Sequence, residues 1–447
     1  MDTSSLLQSN KRHAMNRRQF LKLAGIGAGT FILASCGQKI TPTTQAGPTT
    51  APTAPEQVTM DLFVNEGGEG LEIFKNIVKV FNEKHPTIQI NPTIPSSGDY
   101  YTVLMTQIGA GTPPPLMQID GGELPPYSNR GALIPLDSYI ESDPEGKLDD
   151  FFPEVLKVYQ WKNKTYVLPK DMVTFGLFYN KTLFDAAGIP YPGDWTEDDY
   201  LEATKKLTKK DSNGNITQYG NVIPTAFGNY FAMVWQHGGQ YLDEAHKKCL
   251  LHEPPAYEAL QWWADLINVH KTAPVPTEYM GFETGKVGLM LEGSYMVPGF
   301  QQITDFEWDI AHKPKGPTGR SSIIYSAGFG ISPTCKYPDQ GWEFVKFMTY
   351  EGSEMLATLG YSMPSRKSIA SKPGIYVGAE KTKGKNVSVF MEAREYARFF
   401  ELTLSWPQQL AILTPELDKV WLGQSSAEEA TARIATQIDE LLASETT

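Results

Sequence analysis

The chain has 447 residues, with 39 Lys and Arg against 51 Asp and Glu, a formal net charge of −12. Such an acidic balance argues against nucleic acid or an anionic membrane face as partner. The length exceeds what one hydrophobic core usually serves, so two domains or lobes are expected.

The first predicted element is NRRQFLKLAGIGAGTFILASCG, residues 16–37, where Lys11, Arg12, Arg17 and Arg18 precede a mostly apolar run, Leu23–Ala34. A membrane-spanning helix needs about 20 apolar residues. This run has 12 and carries Gly25, Gly27 and Gly29. It suits the apolar middle of an export signal. RRQFLK resembles the twin-arginine motif, and LASC resembles the lipobox, which is cut before a cysteine that then carries lipid. Residues 1–35 thus read as a signal peptide, Cys36 as the lipidation site, and 36–57, rich in Thr, Pro and Ala, as a disordered tether. As a flexible coil the tether reaches about 25 Å. Losing residues 1–35, with five basic side chains against Asp2, takes the net charge to −16. No later apolar run approaches spanning length. Cys249 and Cys335 remain. Outside the cytoplasm they are free to pair or to stay reduced, and spacing does not decide it.

The rest alternates strands and helices. VTMDLFV (58–64) reads as a buried strand, and EGGEG breaks it. A helix follows whose Leu71, Phe74, Ile77, Val78 and Phe81 share a face, closed by Pro86. IQINPTI is a strand, YTVLMTQIGAG a short helix and PLMQID (115–120) a strand. FGLFYN leads into the helix KTLFDAAG, which Gly188 stops. Thr196 and Asp199 form a capping-box pattern. Leu260, Trp263 and Ile267 have helical spacing. VGLMLEG and EWDIAHKP are strands and DQGWEFVKFM is a helix. The last of two C-terminal helices is capped by Ser426, with Glu429 at its third position. This alternation predicts an α/β fold with largely parallel sheets.

The segment GKLDDFFPEVLKVYQWKNKTYVLPKDMVTFGLFYNKTLFDAAGIPYPGDWTEDDYLEATKKLTKKDSNGNITQYG resembles the middle of extracellular solute-binding proteins of the sugar-binding group. FNEKHPTIQI, MTQIGAGTPPPLMQID, WQHGGQYLD, FETGKVGLMLEGSYMVPGF and GWEFVKFM match in order. The resemblance covers about residues 58–443. It departs at Pro115, where relatives often have an acidic residue, and at Tyr295, where many have Trp. It implies a two-lobed, type II periplasmic-binding-protein-like fold with a ligand cleft between lobes joined by crossover strands. The crossings fall near 171–176, 309–314 and 358–363. Lobe 1 is then 58–172 with 312–358, and lobe 2 is 173–311 with 359–447. The implied function is capture of a sugar, a di- or oligosaccharide, by hinge closure. The implied partners are the permease subunits of an ATP-driven importer, which a monomeric, membrane-tethered binding lipoprotein serves. No cofactor or metal is implied.

Loops after strand ends line such a cleft. Glu66 lies just past the first strand. A plain turn or a phosphate cradle competes there with the family role, an acceptor for sugar hydroxyls. Asp120 and Glu123 follow LMQID, where helix capping is the alternative. Asp171 lies at the first crossing, where a hinge or a solvated carboxylate competes with a ligand role. Asn229 and Trp235 lie in FGNYFAMVWQHGG, and core packing competes for Trp235. Tyr295 matches an aromatic that the family sets against sugar rings. Phe329 sits among glycines, which permit close backbone approach. Arg366 is a clamp for hydroxyls or an anion, or else a surface ion pair, and Trp406 is a further aromatic candidate. No catalytic residue is assigned. The seven His show no metal-ligand spacing, and no G-x-S-x-G, Walker loop or Cys-x-x-Cys is present. The alternatives are a lipid-anchored secreted glycoside hydrolase, since 51 acidic residues always permit a carboxylate pair, or a binder of a polyol or glycerol phosphodiester.

Overall fold

A computed structural model describes residues 57–96, 99–223, 227–278, 280–382 and 384–445. The signal segment, Cys36 and all of the tether but Gln57 lie outside the described residues.

Two five-stranded sheets organise the body. In the first, β1 (Val58–Phe63) is flanked by β2 (Ile88–Thr93) and β3 (Leu116–Asp120), both parallel to it. A helix, α1 (Gly68–Lys84), connects β1 to β2 and buries Phe74, Ile77, Val78 and Phe81, the face its periodicity predicts. The short helix α2 (Tyr100–Gly109) opens on Asp99, whose carboxylate accepts from Thr102 N at 3.0 Å. The sheet is completed by β4 (Leu168–Pro169), which pairs antiparallel with a strand arriving from much later in the chain.

After β5 (Asp171–Met172) the chain enters the second sheet as β6 (Phe175–Asn180). The helix α3 (Lys181–Ala187) ends at Gly188 in the left-handed region, φ 64°. In α4 (Glu197–Leu207) Thr196 and Asp199 make the expected capping box. The strands β7 (Lys209–Lys210) and β8 (Ile216–Val222), the helices α5 (Phe227–Gln236) and α6 (Pro254–Asn268), and the strands β9 (Val287–Gly293) and β10 (Trp308–Ala311) follow. The sheet order is β10-β6-β9-β8-β7.

The chain then forms β11 (Ser322–Ile323) and returns to the first sheet as β12 (Ala327–Ile331), between β3 and β4. Both α7 (Pro338–Phe347) and α8 (Ser353–Thr358) pack on that sheet. The strand β13 (Met363–Pro364) pairs with β5, and β14 (Ala397–Arg398) pairs with β11. The two last helices, α9 (Trp406–Trp421) and α10 (Ala427–Ser444), pack on α6 in the second lobe, and Ser426 caps α10.

Two expectations need correcting. The sheets are mixed, not largely parallel. Each strand that enters from the other lobe, β6 and β12, runs antiparallel to both its neighbours. The second and third crossings also come later in the chain than the sequence places them. Lys315 exchanges backbone bonds with Trp195 and Glu197, and Thr318 N donates to Gln236 O, so residues 313–323 stay with the second lobe and the chain crosses near 324–327. Arg366 and Ser368 are bonded to Asp150 and Lys372 to Glu354, which keeps residues 365–372 on the first lobe.

The first lobe's core gathers Leu62, Phe74, Phe81, Ile90, Phe329 and Phe344. The second gathers Tyr200, Trp263, Leu417 and Ile438 among others. A third apolar cluster runs from Phe63, Tyr100 and Ile119 to Phe178, Met290 and Trp308, spanning both lobes. Cys249 and Cys335 are free thiols. Among the described residues no helix is long and apolar enough to cross a membrane, and no group of His, Cys, Asp and Glu could hold a metal ion.

Candidate functional site

The first lobe presents a wall of hydrogen-bond acceptors at its strand ends. Past β1, Glu66 is nearly buried. Its Oε2 accepts from the Tyr361 hydroxyl at 2.9 Å, and its Oε1 lies 3.5 Å from Lys170 Nζ. Gly70 permits this approach, since a Cβ there would stand 2.8 Å from Tyr361 Oη. Lys170, 2% exposed, donates to Asp171 Oδ2 at 2.7 Å, and Asp171 Oδ1 accepts from Ala327 N at 3.0 Å. At the end of β3 the Asp120 carboxylate accepts from Asn65 Nδ2 at 3.1 Å and Gln118 Nε2 at 3.2 Å.

Burial raises the Glu66 pKa, opposed by Lys170 and by the Tyr361 hydrogen bond. Burial likewise raises Asp120, against hydrogen bonds from Tyr101, Gln118 and Asn65. Burial would lower the Lys170 pKa, but Asp171 and Glu66 outweigh it and the amine stays a firm cation.

The second lobe supplies the opposing face. Tyr295 follows β9 and is 36% exposed, with one ring side turned edge-on to Phe175 at 6.3 Å. Its hydroxyl donates to Glu292, whose Oε1 also accepts from Gly293 N at 2.9 Å. Beside it, Ser294 Oγ donates to Tyr361 O at 3.0 Å. Tyr325 packs on Phe175, ring centroids 5.5 Å apart, and crowds the start of α5, where a Cβ on Gly228 would meet its hydroxyl at 1.6 Å. Charge links the two faces. Burial raises the Tyr295 hydroxyl first, then Glu292, Tyr325 and Tyr361. Burial also raises Tyr325, followed by Glu292 of the second lobe and Asp120 of the first. Such an arrangement can receive hydroxyl donors on carboxylates and an apolar ring face on Tyr295.

Of the residues singled out in the sequence, Glu66, Asp120, Asp171 and Tyr295 come together here. Glu123 lies deeper, 7% exposed, accepting from Trp406 Nε1 at 3.1 Å; burial, then Asp120, pushes its pKa up to about 8. Asn229 is 2% exposed near the start of α5. Four assignments are corrected. Phe329 is fully buried between Phe74 and Phe344, because its side of β12 faces the core. Arg366 is fully buried between the Phe151 and Tyr350 rings, 4.0 Å from each, and donates to Thr349 Oγ1 and Lys147 O at 3.1 Å; it braces the first lobe. Trp235 is 5% exposed and the Arg398 guanidinium already lies 4.3 Å over its ring, so it offers no open platform. Trp406 is 1% exposed and packs, tilted, against Phe231 and Phe400. Asn65, Lys170, Glu292, Tyr325 and Tyr361 were not singled out. Glu292 and Asn65 had a usable signal, since each flanks a strand end beside a residue that was chosen.

Two α/β lobes, joined by three crossings and lined at their strand ends by acceptors and tyrosines, define a two-lobed solute-binding protein. Residues 67–355 match the family model of the bacterial extracellular solute-binding protein, and the chain belongs to that family. It is 24% identical over 379 residues to a binding protein of Brucella abortus, covering 83% of this chain and 89% of that one. It is 27% identical over 224 residues, 49% of this chain and 48% of the other, to the arabinooligosaccharide-binding protein of Halalkalibacterium halodurans. An ABC substrate-binding protein from Listeria monocytogenes, solved in complex with cycloalternan, shares the fold with a TM-score of 0.79 at 24% identity, over 88% of this chain and 100% of that one.

Proposed function

We propose that this protein captures a neutral di- or oligosaccharide outside the cytoplasmic membrane and delivers it to the permease of an ATP-driven importer. The observation that carries this is the pairing of a carboxylate wall, Glu66 and Asp120, with the exposed ring of Tyr295 across the crossings. Sugar hydroxyls need fixed acceptors, and the C–H faces of sugar rings need an aromatic surface. Contacts from both lobes make ligand favour the closed form. Family membership and the oligosaccharides named for two similar proteins support the same ligand class. In this account the twin-arginine-like signal exports the chain, lipid on Cys36 anchors it, and the monomer works on a short tether.

The test is a melting screen of residues 37–447 with neutral oligosaccharides, including maltotriose, arabinotriose and cycloalternan. A ligand specific to the folded form adds about 2.7 kcal/mol of stability at 100 times its dissociation constant. One sugar is expected to raise the melting temperature and to be recovered intact. Release of monosaccharide would favour the hydrolase, and a response to a glycerol phosphodiester alone would move the ligand class.

A further inference from the structure

Lys170 is the one cation among the charged groups that bear on Glu66, the others being Asp171 and Asp120. It is 2% exposed and has two carboxylate neighbours, Asp171 Oδ2 at 2.7 Å and Glu66 Oε1 at 3.5 Å. A buried ion persists only when paired and hydrogen-bonded, so this triad is built as a unit. Asp171 is also where two crossings meet, the first through its own strand and the second through Ser326 and Ala327. Its strand β5 pairs with β13, its carboxylate accepts from Ala327 N, and its carbonyl accepts from Ser326 Oγ at 2.7 Å. Glu66 reaches toward the second lobe through Tyr361, which donates to it and whose carbonyl accepts from Ser294 beside Tyr295.

We propose that Lys170 is a positioning residue, which keeps Glu66 an anionic hydrogen-bond acceptor and ties it to the crossings through Asp171. The ligand half of this rests on the function proposed above; the electrostatic half does not. Without the lysine, burial acts on Glu66 with only the Tyr361 hydrogen bond to oppose it. The folded chain then holds the Glu66 proton at a pH where the unfolded chain has lost it. Stability attributable to this residue therefore falls as pH rises above the ordinary glutamate range. Protonated Glu66 also turns one oxygen into a donor, which leaves the wall one acceptor fewer for sugar hydroxyls.

The experiment is a double-mutant cycle on the full mature chain: wild type, Lys170→Met, Glu66→Gln and both together, melted without ligand at pH 5 and pH 8. Asp171 is present in all four, so its own response cancels. The melting-temperature loss from Lys170→Met is expected to be larger at pH 8 than at pH 5 with Glu66 present. In the Glu66→Gln background, where only Asp171 still faces the missing lysine, the loss is expected to depend less on pH. Equal pH dependence in both backgrounds overturns the proposal. Should Lys170→Met not fold, Lys170→Gln takes its place in the cycle, and Lys170→Arg is expected to restore the wild-type pattern. Titration with maltotriose adds the second readout. Lys170→Met is expected to weaken binding at least tenfold, and the double variant to bind no more weakly than Glu66→Gln alone. Independent, multiplying losses count against the proposal. Failure of wild type to bind maltotriose counts against the ligand, and the ligand-free melts still decide the role of Lys170.

Discussion

Replacing Lys313 by methionine is expected to stabilise the protein at neutral pH and to lose that advantage in alkali. Lys313 is 1% exposed, in the stretch after β10 that packs on the second lobe. Burial pulls its pKa from 10.5 down to about 8, and Glu197 only partly opposes this. Glu197 is already engaged by Gln236 and by His237 Nε2 at 3.0 Å. At about 1.4 kcal/mol per pKa unit, a depression of this size corresponds to a penalty of about 3 kcal/mol at pH 7. The folded pKa lies below the unfolded one, so the unfolded chain binds the proton more tightly. The penalty is full below about pH 8 and disappears as pH rises towards the unfolded value of 10.5. Methionine fills similar volume without a charge. For a body of this size, about 3 kcal/mol corresponds to a rise in melting temperature of about 4 °C. Calorimetry at pH 7 and pH 10.5 checks it: the variant should melt higher at pH 7, with the gap largely closed at pH 10.5. An equal gap at both values, or a variant less stable at pH 7, would show that no buried charge at Lys313 costs the fold stability.

Tyr295→Ala is expected to weaken oligosaccharide binding by about 1–2 kcal/mol, roughly 5–30-fold, with little change in melting temperature; Tyr295→Trp should hold affinity. Titration calorimetry and a melt on the same variants check both, and a normal Tyr295→Ala affinity would remove Tyr295 from the site. Arg366→Met should lower the melting temperature strongly, since breaking a buried ion's contacts costs about 3–5 kcal/mol, while the surviving fold binds ligand normally. An affinity loss without destabilisation would restore the clamp role. Cys36→Ser should abolish incorporation of labelled fatty acid, and label retained by that variant would refute the lipid anchor.

Local rules made most elements legible. The apolar face of α1, the capping box at Thr196 and the Gly188 stop each depend on residues within a few positions of one another. The resemblance supplied the two-lobed plan. The strand directions and the late crossings were not legible, because they depend on which lobe a segment docks against. The resemblance put residues 312–358 in the first lobe, yet backbone bonds to Trp195 and Gln236 hold 313–323 to the second. Side-chain destination failed for the same reason. Glycines around Phe329 suggested ligand approach, while the ring faces the first core. Arg366 is enclosed by rings from positions 151 and 350, which no local pattern foretells. Lys170 and Tyr361 gain their meaning only where they meet at Glu66, from segments nearly two hundred residues apart.

Native mass spectrometry of residues 37–447 with a library of neutral oligosaccharides decides whether the protein is a sugar binder. The expected spectrum shows a 1:1 complex whose added mass equals one intact oligosaccharide, unchanged after hours and reduced in Glu66→Gln and Tyr295→Ala. No complex with any neutral oligosaccharide, or adducts that shrink to hydrolysis products, would contradict it.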